Sequence, residues 1–525
     1  MSVMEVTRST ITSNGEHVVA VPETSDRLRV RFPSNVNPRQ LAAWARMMRA
    51  RYDAAGTTDE NRRHWANADD MSSVAANSPA VRRVLRKRAR YEVANNGYAR
   101  HIVGVLGIHT ITTGPRLQIL DADVPQADRK LVAREFAEWA KEIRLAAKLR
   151  LMRSDKATNG EAVAVLTTNL GLDSDVKLDV QTVEADRLAE PTGTEIDSSN
   201  VDGVILDPMG NPAGYRILRR HPGDLSAVGV GINEYDEIDV ARALHWFPLD
   251  RSGQQRGVPE ITTSLPLFAM LRRYTLAVVI AAEAAANAAG VLSSDAPPDE
   301  ESSDDIEPMD TIEHERGMLL TLPRGWKMSQ LAAEQPTTTY AEFKRELLKE
   351  IAAPLHMPYN IAACDSSDYN FSSGQLDQKV YVASVWVERD DAESVVLRKV
   401  LRAWLREARL VPGFLPRSIV GIPLHTWHWD SLDLGDPLKV SKVRDAALRN
   451  GTASLASIYA EEGREVEEEL QTQADTFGMT VQDHKKRLYD ALFATQPTEA
   501  APEDTEDEDD APPARTATKP PRTRR

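Results

Sequence analysis

Residues 251 to 292 read RSGQQRGVPEITTSLPLFAMLRRYTLAVVIAAEAAANAAGVL, a Gly/Pro turn followed by an Ala-rich run with almost no charged face. Such a run predicts a helix that needs neighbours around most of its circumference. From Pro266 to Ala289 it would be about 36 Å long at 1.5 Å per residue. Ala281, Ala285 and Ala288 recur at three- and four-residue spacing, which lets another helix approach closely along that stripe. Residues 293 to 315 are acidic and Pro/Ser-rich, and helical periodicity returns in TTTYAEFKRELLKEIAAPLHMP. There Thr339 and Glu342 form a capping box that starts the second helix, and Pro354 and Pro358 stop it. The pattern is a helix, an excursion and a helix back.

Upstream, residues 1 to 35 lack periodicity and predict a flexible arm. Residues 38 to 55 and 79 to 108 have helical apolar spacing with Arg/Lys opposite, and residues 128 to 151 predict a third amphipathic helix with Leu131, Phe136 and Trp139 inward. After Asn159 the texture changes to short alternating strands in GEAVAVLTTN, VKLDVQTVEADRL, VDGVILDPMGNPAGYRILRR and ARALHWFPLD, with a hairpin signal at residues 207 to 212. Downstream, the loop CDSSDYNFSSGQ (364 to 375) feeds a helix from about Gln375 to Arg409, with Leu376, Val380, Ala383, Val387, Val395, Leu401 and Leu405 on the expected buried side. Residues 436 to 492 predict two or three more helices, and the tail from Gln496, acidic then basic, is low-complexity. The fold class expected is α+β, mostly helical.

At 525 residues, 42% hydrophobic and 27% charged, the chain has room for two to four folded regions. Its single cysteine, Cys364, excludes an intrachain disulfide framework, and the N-terminal stretch shows no secretion signal; both fit intracellular folding. Residues 274 to 292 approach a membrane span in length, but alanine is weakly hydrophobic and Glu283 sits mid-span at a cost of a few kcal/mol, so no membrane is expected.

An ordered set of segments resembles the lambda-type portal proteins of tailed bacteriophages. The segments are VRRVLRKRARYEVANNGYARHIVGVLG, VEADRL, DGVILDPMGNPAGYRILRRHPGD, HWF with RSGQQRGVP, YNFSSGQ and DPLKVSKVRDAALRNG with AEEG, in order from about residue 70 to 465. The resemblance implies a portal fold with wing, stem, clip and crown regions forming a ring, usually of twelve subunits, at one capsid vertex, through which DNA is packaged and later ejected. By analogy the wing spans 36 to 257 (helical to 158, β-rich from 159), stem helix 1 spans 258 to 290, and the clip 291 to 337. Stem helix 2 spans 338 to 358, the tunnel loop 359 to 375, the wing helix and return 376 to 435, the crown 436 to 494, and a disordered charged tail 495 to 525. The implied partners are double-stranded DNA, the terminase large subunit, a head-tail connector or adaptor, and major capsid and scaffold proteins. The implied location is the virion, after assembly in the host cytoplasm. The family has no active site and needs no cofactor or metal, since ATP hydrolysis belongs to the terminase.

The net charge of -15 is awkward for a static DNA binder, because affinity for phosphate grows with each Lys/Arg contact. A conduit has the opposite need: a mainly acidic or neutral lining with a few ring-repeated cations lets the duplex slide. Candidate cations are Lys344, Arg345 and Lys349 on the second hairpin helix, with Arg272 and Arg273 on the first. Solvated or salt-bridged faces, such as Glu346 with Lys349, are the plain alternative. Asp368, Tyr369, Asn370, Phe371, Ser372 and Ser373 are candidate DNA-near residues, or else a subunit-contact turn. The acidic run at Asp299, Glu300, Glu301, Asp304, Asp305 and Glu307 reads as a surface loop or a docking patch. The basic run at Arg82, Arg83, Arg86, Lys87, Arg88 and Arg90 reads as a nucleic-acid or acidic-scaffold site, or as a helix face bridging subunits.

Enzyme chemistry finds little footing. His425 and His428 have a metal-like gap but Trp neighbours and no nearby third ligand, which favours a packed strand. Nothing brings Glu161 and Asp173 together, and Gly229 and Gly231 lack the third glycine of a dinucleotide loop. A metal-dependent hydrolase and a shorter head-tail adaptor or capsid-associated protein are the competing classes.

Overall fold

The computed structural model describes residues 59, 61–191, 199–224, 234–286, 290–294, 326–330, 340–367, 371–432, 437–461, 464 and 466–493, together with three two-residue strands nearer the N-terminus. The helix expected over 38 to 55, the acidic run at 299 to 307, the capping Thr339, residues 368 to 370 and the charged tail lie outside the described residues. The chain divides into two compact units, residues 1–82 with 249–256, and residues 83–248 with 257–525.

In the first unit, β1 (Thr10–Ile11), β2 (His17–Val18) and β3 (Arg31–Phe32) form a small antiparallel sheet. Helix α1 (Ser73–Ala76) is capped by Ser72. Loop 249–256 is held to that region by Ser73 Oγ donating to Ser252 O at 3.1 Å and Asn77 Nδ2 to Arg256 O at 2.8 Å.

Helix α2 (Pro79–Asn95) leads into the second unit, where α3 (Gly97–Ile111) follows it. One helix was expected over 79 to 108, and the structure breaks it at Asn96. The Asn96 side chain accepts from Tyr98 N and Ala99 N, an N-cap that starts a new helix. Strand β4 (Arg116–Ile119) comes next, then α4 (Gln126–Glu142) and α5 (Leu145–Asn159). The helix expected over 128 to 151 is likewise divided, because Arg144 adopts a left-handed φ of 55° that no helix continues through.

The β-rich insert follows the expected strands closely. Strands β5 (Ala162–Thr168) and β6 (Leu178–Val183) join a three-stranded sheet, while β7 (Asn200–Val201), β8 (Val204–Leu206), β9 (Pro212–Leu218) and β10 (Tyr235–Asp239) form a four-stranded one. Strand β11 (Ala243–Trp246) returns to pair with β5. Asp207 accepts from Met209 N and Asn211 N, closing the turn before β9. Side-chain alternation explains the burial of β5 on both faces. Ala162, Ala164 and Leu166 enter one core with Phe136, Trp139 and Trp404, and Val163 and Val165 enter another with Tyr215 and Ile217. Strand β10 exposes nearly every side chain and is held by its ladder to β9, so apolar alternation could not reveal it.

Helix α6 (Leu265–Ala286) and the antiparallel ribbon of β12 (Gly290–Ser294) and β13 (Trp326–Gln330) precede α7 (Tyr340–Ala352). Ser264 Oγ donates to Ile351 O at 2.8 Å, and Tyr274 packs on Phe343 and Tyr340 with ring centroids 5.0 and 5.6 Å apart. The predicted helix-excursion-helix hairpin is therefore an antiparallel pair with a β-ribbon at its far end. A 3-10 turn at Ala353–Leu355, carrying Pro354, ends α7, and α8 (Tyr359–Ala363) follows Pro358.

Helix α9 (Phe371–Ala392) starts four residues earlier than expected and passes through a π-helical turn at Glu393–Leu397 into α10 (Arg398–Ala408). Here the expected buried face is half wrong. Leu401 and Leu405 are buried, whereas Leu376, Val380, Ala383 and Val387 are exposed, and the buried side of α9 carries Tyr381, Val385, Arg389 and Ala392. The helix has two apolar stripes, and only one is covered within the chain. Strand β14 (His425–His428) pairs with β4, burying Trp427 beside Phe136. Four helices close the described chain: α11 (Pro437–Arg449), α12 (Leu455–Glu461), α13 (Val466–Thr476) and α14 (Val481–Phe493).

The tightest junction is Gly257 against Gly160, which joins the end of α5 to the segment leading into α6. A Cβ on Gly257 would stand 1.8 Å from Gly160 O and 2.9 Å from Phe247 Cβ, whereas a Cβ on Gly97 would meet nothing within 4 Å. Gly257→Ala is therefore expected to cost at least about 3 kcal/mol, the upper end for overpacking. Gly97→Ala should stay within about 1 kcal/mol of the parent. Thermal unfolding of the two variants checks the contrast.

Candidate functional site

Of the residues singled out on the hairpin, the cations lie toward the base of the α6/α7 pair and the alanines toward its far end. Beyond Leu271, α6 leaves its core: Leu276, Val279 and Ile280 are exposed, Ile280 to 63%. Ala281 is half-buried, Ala285 lies in the last turn of the helix, and Ala288 is outside the described residues. Leu265–Glu283 is also the one described helix long and apolar enough to cross a membrane, with mean hydropathy 1.5.

The cations are engaged differently from one another. Lys344 Nζ lies 5.2 Å from the Tyr98 ring centroid and 5.7 Å from that of Tyr340. Burial pulls its ammonium down, but the Tyr98 hydrogen bond and the surrounding phenols outweigh that and leave its pKa above the ordinary lysine value. The Arg345 guanidinium sits 5.9 Å over the Tyr359 ring. Lys349 is exposed and pairs with Glu346 at 2.7 Å, the plain alternative weighed for it. Arg272 stacks on Tyr91 at 5.5 Å and donates to its hydroxyl at 3.3 Å, and Arg273 is exposed. Phe371, Ser372 and Ser373 open α9, so a helix begins inside the stretch expected to be loop.

Between α3, α6, α7 and α8 lies an open cleft of about 530 Å³, lined by Tyr98, His101, Leu271, Arg272, Leu276, Lys344 and Cys364 among others. His101 Nε2 donates to Ile361 O at 2.8 Å, and Cys364 Sγ is 3.2 Å from the same nitrogen.

The α2 basic run is divided by the fold. Arg82 is buried and bonds Asn77 O, Arg86 bonds Glu161 and Asp186, and Arg90 bonds Asp186. Arg83, Lys87 and Arg88 remain exposed, with no ion pair among the described residues. Glu161 also accepts from His245 and Gly257 N, so its role is to close a buried network rather than to meet Asp173. His425 and His428 are half-buried in β14, and burial, then Arg116, holds His428 below the usual histidine range. Among the described residues no three His, Cys, Asp or Glu side chains are grouped to hold a metal ion.

Sequence reasoning missed the cluster that fixes the base of α6. Arg153 bonds Glu260 at 2.9 Å and Glu388 at 3.3 Å; Lys156, 1% exposed, bonds Glu388 at 2.7 Å and lies 5.1 Å over the Trp246 ring. Burial raises the Glu388 carboxyl, but Arg153 and Lys156 overcome it and hold the group ionised below the usual range. Arg153 and Lys156 stand one turn apart on a buried helix face, and Glu388 interrupts an apolar run; that coincidence was the available signal. Next to Lys156, burial pushes the Asp155 carboxyl up to about 6, against the pull of Arg90 and the Asn159 hydrogen bond.

The phage portal protein, lambda family, matches residues 59–377. A probable portal protein of Halomonas phage phiHAP-1 is 27% identical over 407 residues, covering 73% of this chain and 77% of that relative. Similar solved chains occur in the neck of an empty GTA particle computed with C6 symmetry (15% identical, TM-score 0.41, 72% of this chain and 93% of that one). Another is in the neck of a native GTA particle computed with C12 symmetry (14%, 0.39, 74% and 94%).

Two stability predictions follow from the charges. Glu388→Gln leaves Lys156 without its nearest carboxylate and is expected to cost about 3–5 kcal/mol, with Lys156→Met/Glu388→Leu losing much less; denaturant unfolding of the three chains checks this. The raised Asp155 pKa contributes stability that is present below the unfolded value and lost as pH rises through about 6. Asp155→Asn should match the parent near pH 4 and exceed it by roughly 1–3 kcal/mol above pH 7, as read from melting curves across that range.

Proposed function

The chain belongs to the lambda family of phage portal proteins, and from that membership we propose that copies of it close into a ring around a passage for double-stranded DNA at a capsid vertex. The observation that carries this reading is the uncovered apolar surface of a single chain. Met270, Leu276, Val279 and Ile280 on α6, and Leu376, Val380, Trp386 and Val387 on α9, are all exposed. Covering a large apolar side chain is worth about 1.5–3 kcal/mol, so two such faces on one chain favour association with further copies over a free monomer.

In this reading α6 and α7 are the stem, the ribbon of β12 and β13 belongs to the clip, helices α2 to α5 with the β insert and α9 to α10 form the wing, and α11 to α14 form the crown. The tunnel loop of residues 359 to 375 lines the passage, where Asp368, Tyr369, Asn370, Phe371, Ser372 and Ser373 approach the duplex. Lys344, Arg345 and Lys349 supply the few ring-repeated positive charges. Lys344 and Arg345 lean on tyrosine rings and Lys349 on Glu346, so each charge is held in place rather than free to wrap around a phosphate, which suits sliding. The chain is not an enzyme in this account: a separate terminase drives packaging from the clip side, head-tail connectors later take its place, and major capsid and scaffold proteins are further partners.

Purified protein is expected to appear in electron micrographs as closed rings with a central opening; twelve copies of 58.2 kDa make about 700 kDa, a closed cyclic assembly. Val279→Asp/Ile280→Asp should shift it to small species by light scattering. A parent chain that stays a compact monomer at all concentrations would overturn the proposal.

A further inference from the structure

Two uncovered features of the chain are complementary in polarity and charge and lie on different helices. The cleft at the N-terminal end of α3 is lined by the apolar side chains of Tyr98, Leu271 and Leu276 and by the cations Arg272 and Lys344. Neither cation is paired with a carboxylate among the described residues. On α9, Trp386 is 63% exposed and Asp390, one turn on, is exposed with no ion pair among the described residues. An uncovered indole beside an uncovered carboxylate matches an apolar hollow with a cationic edge.

The chain's own Trp386 is kept away from its own cleft. The buried face of α9 is fixed to the C-terminal end of α3, where His109 Nδ1 and Tyr381 Oη are 3.1 Å apart and Arg389 donates to Thr110 O at 2.8 Å. His101, at the cleft, and His109 are eight residues apart on α3, which is about 12 Å of helix. Trp386, being exposed, points off that packed face.

We propose that the cleft receives Trp386 and Asp390 of a second copy, with the indole over Leu271 and Leu276 and the carboxylate toward Arg272. The contact is heterologous, knob on one copy and hollow on the next, and repeats head to tail, which is the kind of interface that closes a ring when its rotation permits. The pairing rests on the ring reading above and adds to it which surfaces meet.

The chain's only cysteine, Cys364, lines the cleft, so a thiol at position 386 tests the pairing directly. Full-length Trp386→Cys protein, oxidised or treated with a short bis-maleimide, should give a ladder on non-reducing gels from two linked chains upward, with the 364-to-386 link identified by peptide mapping. Cys364→Ser in the same chain should abolish it. A charge reversal provides a second test. Asp390→Arg should raise the protein concentration needed for half-assembly about fivefold or more, and Arg272→Glu in the same chain should restore it, as expected for contacting residues. Rings without the 364-to-386 link, or links only between identical positions, would overturn the pairing alone, as would no rescue of the reversed charge. Absence of rings from the parent chain removes the ring reading and the pairing together.

Discussion

Two cations and two carboxylates held out of water set the geometry on which the rest of the molecule depends. Arg153, Lys156, Glu260 and Glu388 come from α5, from the segment before α6, and from α9, and each is buried or nearly so. A buried ion left without its partner costs several kcal/mol, so the three segments must be brought to one arrangement together. Since the fully buried side chains of α6 fall in its first turns, at Leu265, Phe268 and Leu271, its direction is decided at this base. The Gly257 and Gly160 junction acts at the same place, leaving no slack between the cluster and the β insert.

Much of this architecture was legible in the sequence, and the parts that were not share a cause. The β insert could be read because β6 alternates buried and open positions, β5 and β11 are short apolar runs, and turn chemistry at Asp207 and Asn211 precedes β9. The hairpin of α6 and α7 could be read because proline, glycine and an alanine-rich run are strong local signals. Helix ends made by one side chain or one dihedral, at Asn96 and Arg144, were invisible in apolar spacing that continued across them. Periodicity reports that a face is apolar, not what covers it. Hence Leu376, Val380 and Val387 looked like core, whereas within one chain they are surface. The charged cluster was missed for a related reason: Glu260 and Glu388 are far apart in sequence and only the fold shows that they share two cations.

The charge balance has a similar logic. A chain with net charge -15 still carries a basic helix, α2, but the fold spends Arg82, Arg86 and Arg90 on internal contacts and leaves Arg83, Lys87 and Arg88 to solvent. Tyrosine recurs as the partner of the hairpin cations, with Tyr91, Tyr98 and Tyr359 under Arg272, Lys344 and Arg345. A ring face holds a cation without neutralising it. The positive charge at the base of the hairpin is thereby positioned rather than cancelled.

The π-helical turn at Glu393–Leu397 has a consequence for what a one-residue change in length would do. A turn of this kind contains one residue more than an α-helix needs, and each residue of helix is worth about 100° of rotation. The side of the helix that carries Trp404 and Leu405 into the aromatic core is therefore phased independently of the side that carries Tyr381 and Val385 onto α3. A single-codon insertion or deletion here would change which flank of the distal segment faces inward while sparing everything before it, giving evolution a place to re-aim one half of a long rod without redesigning the other.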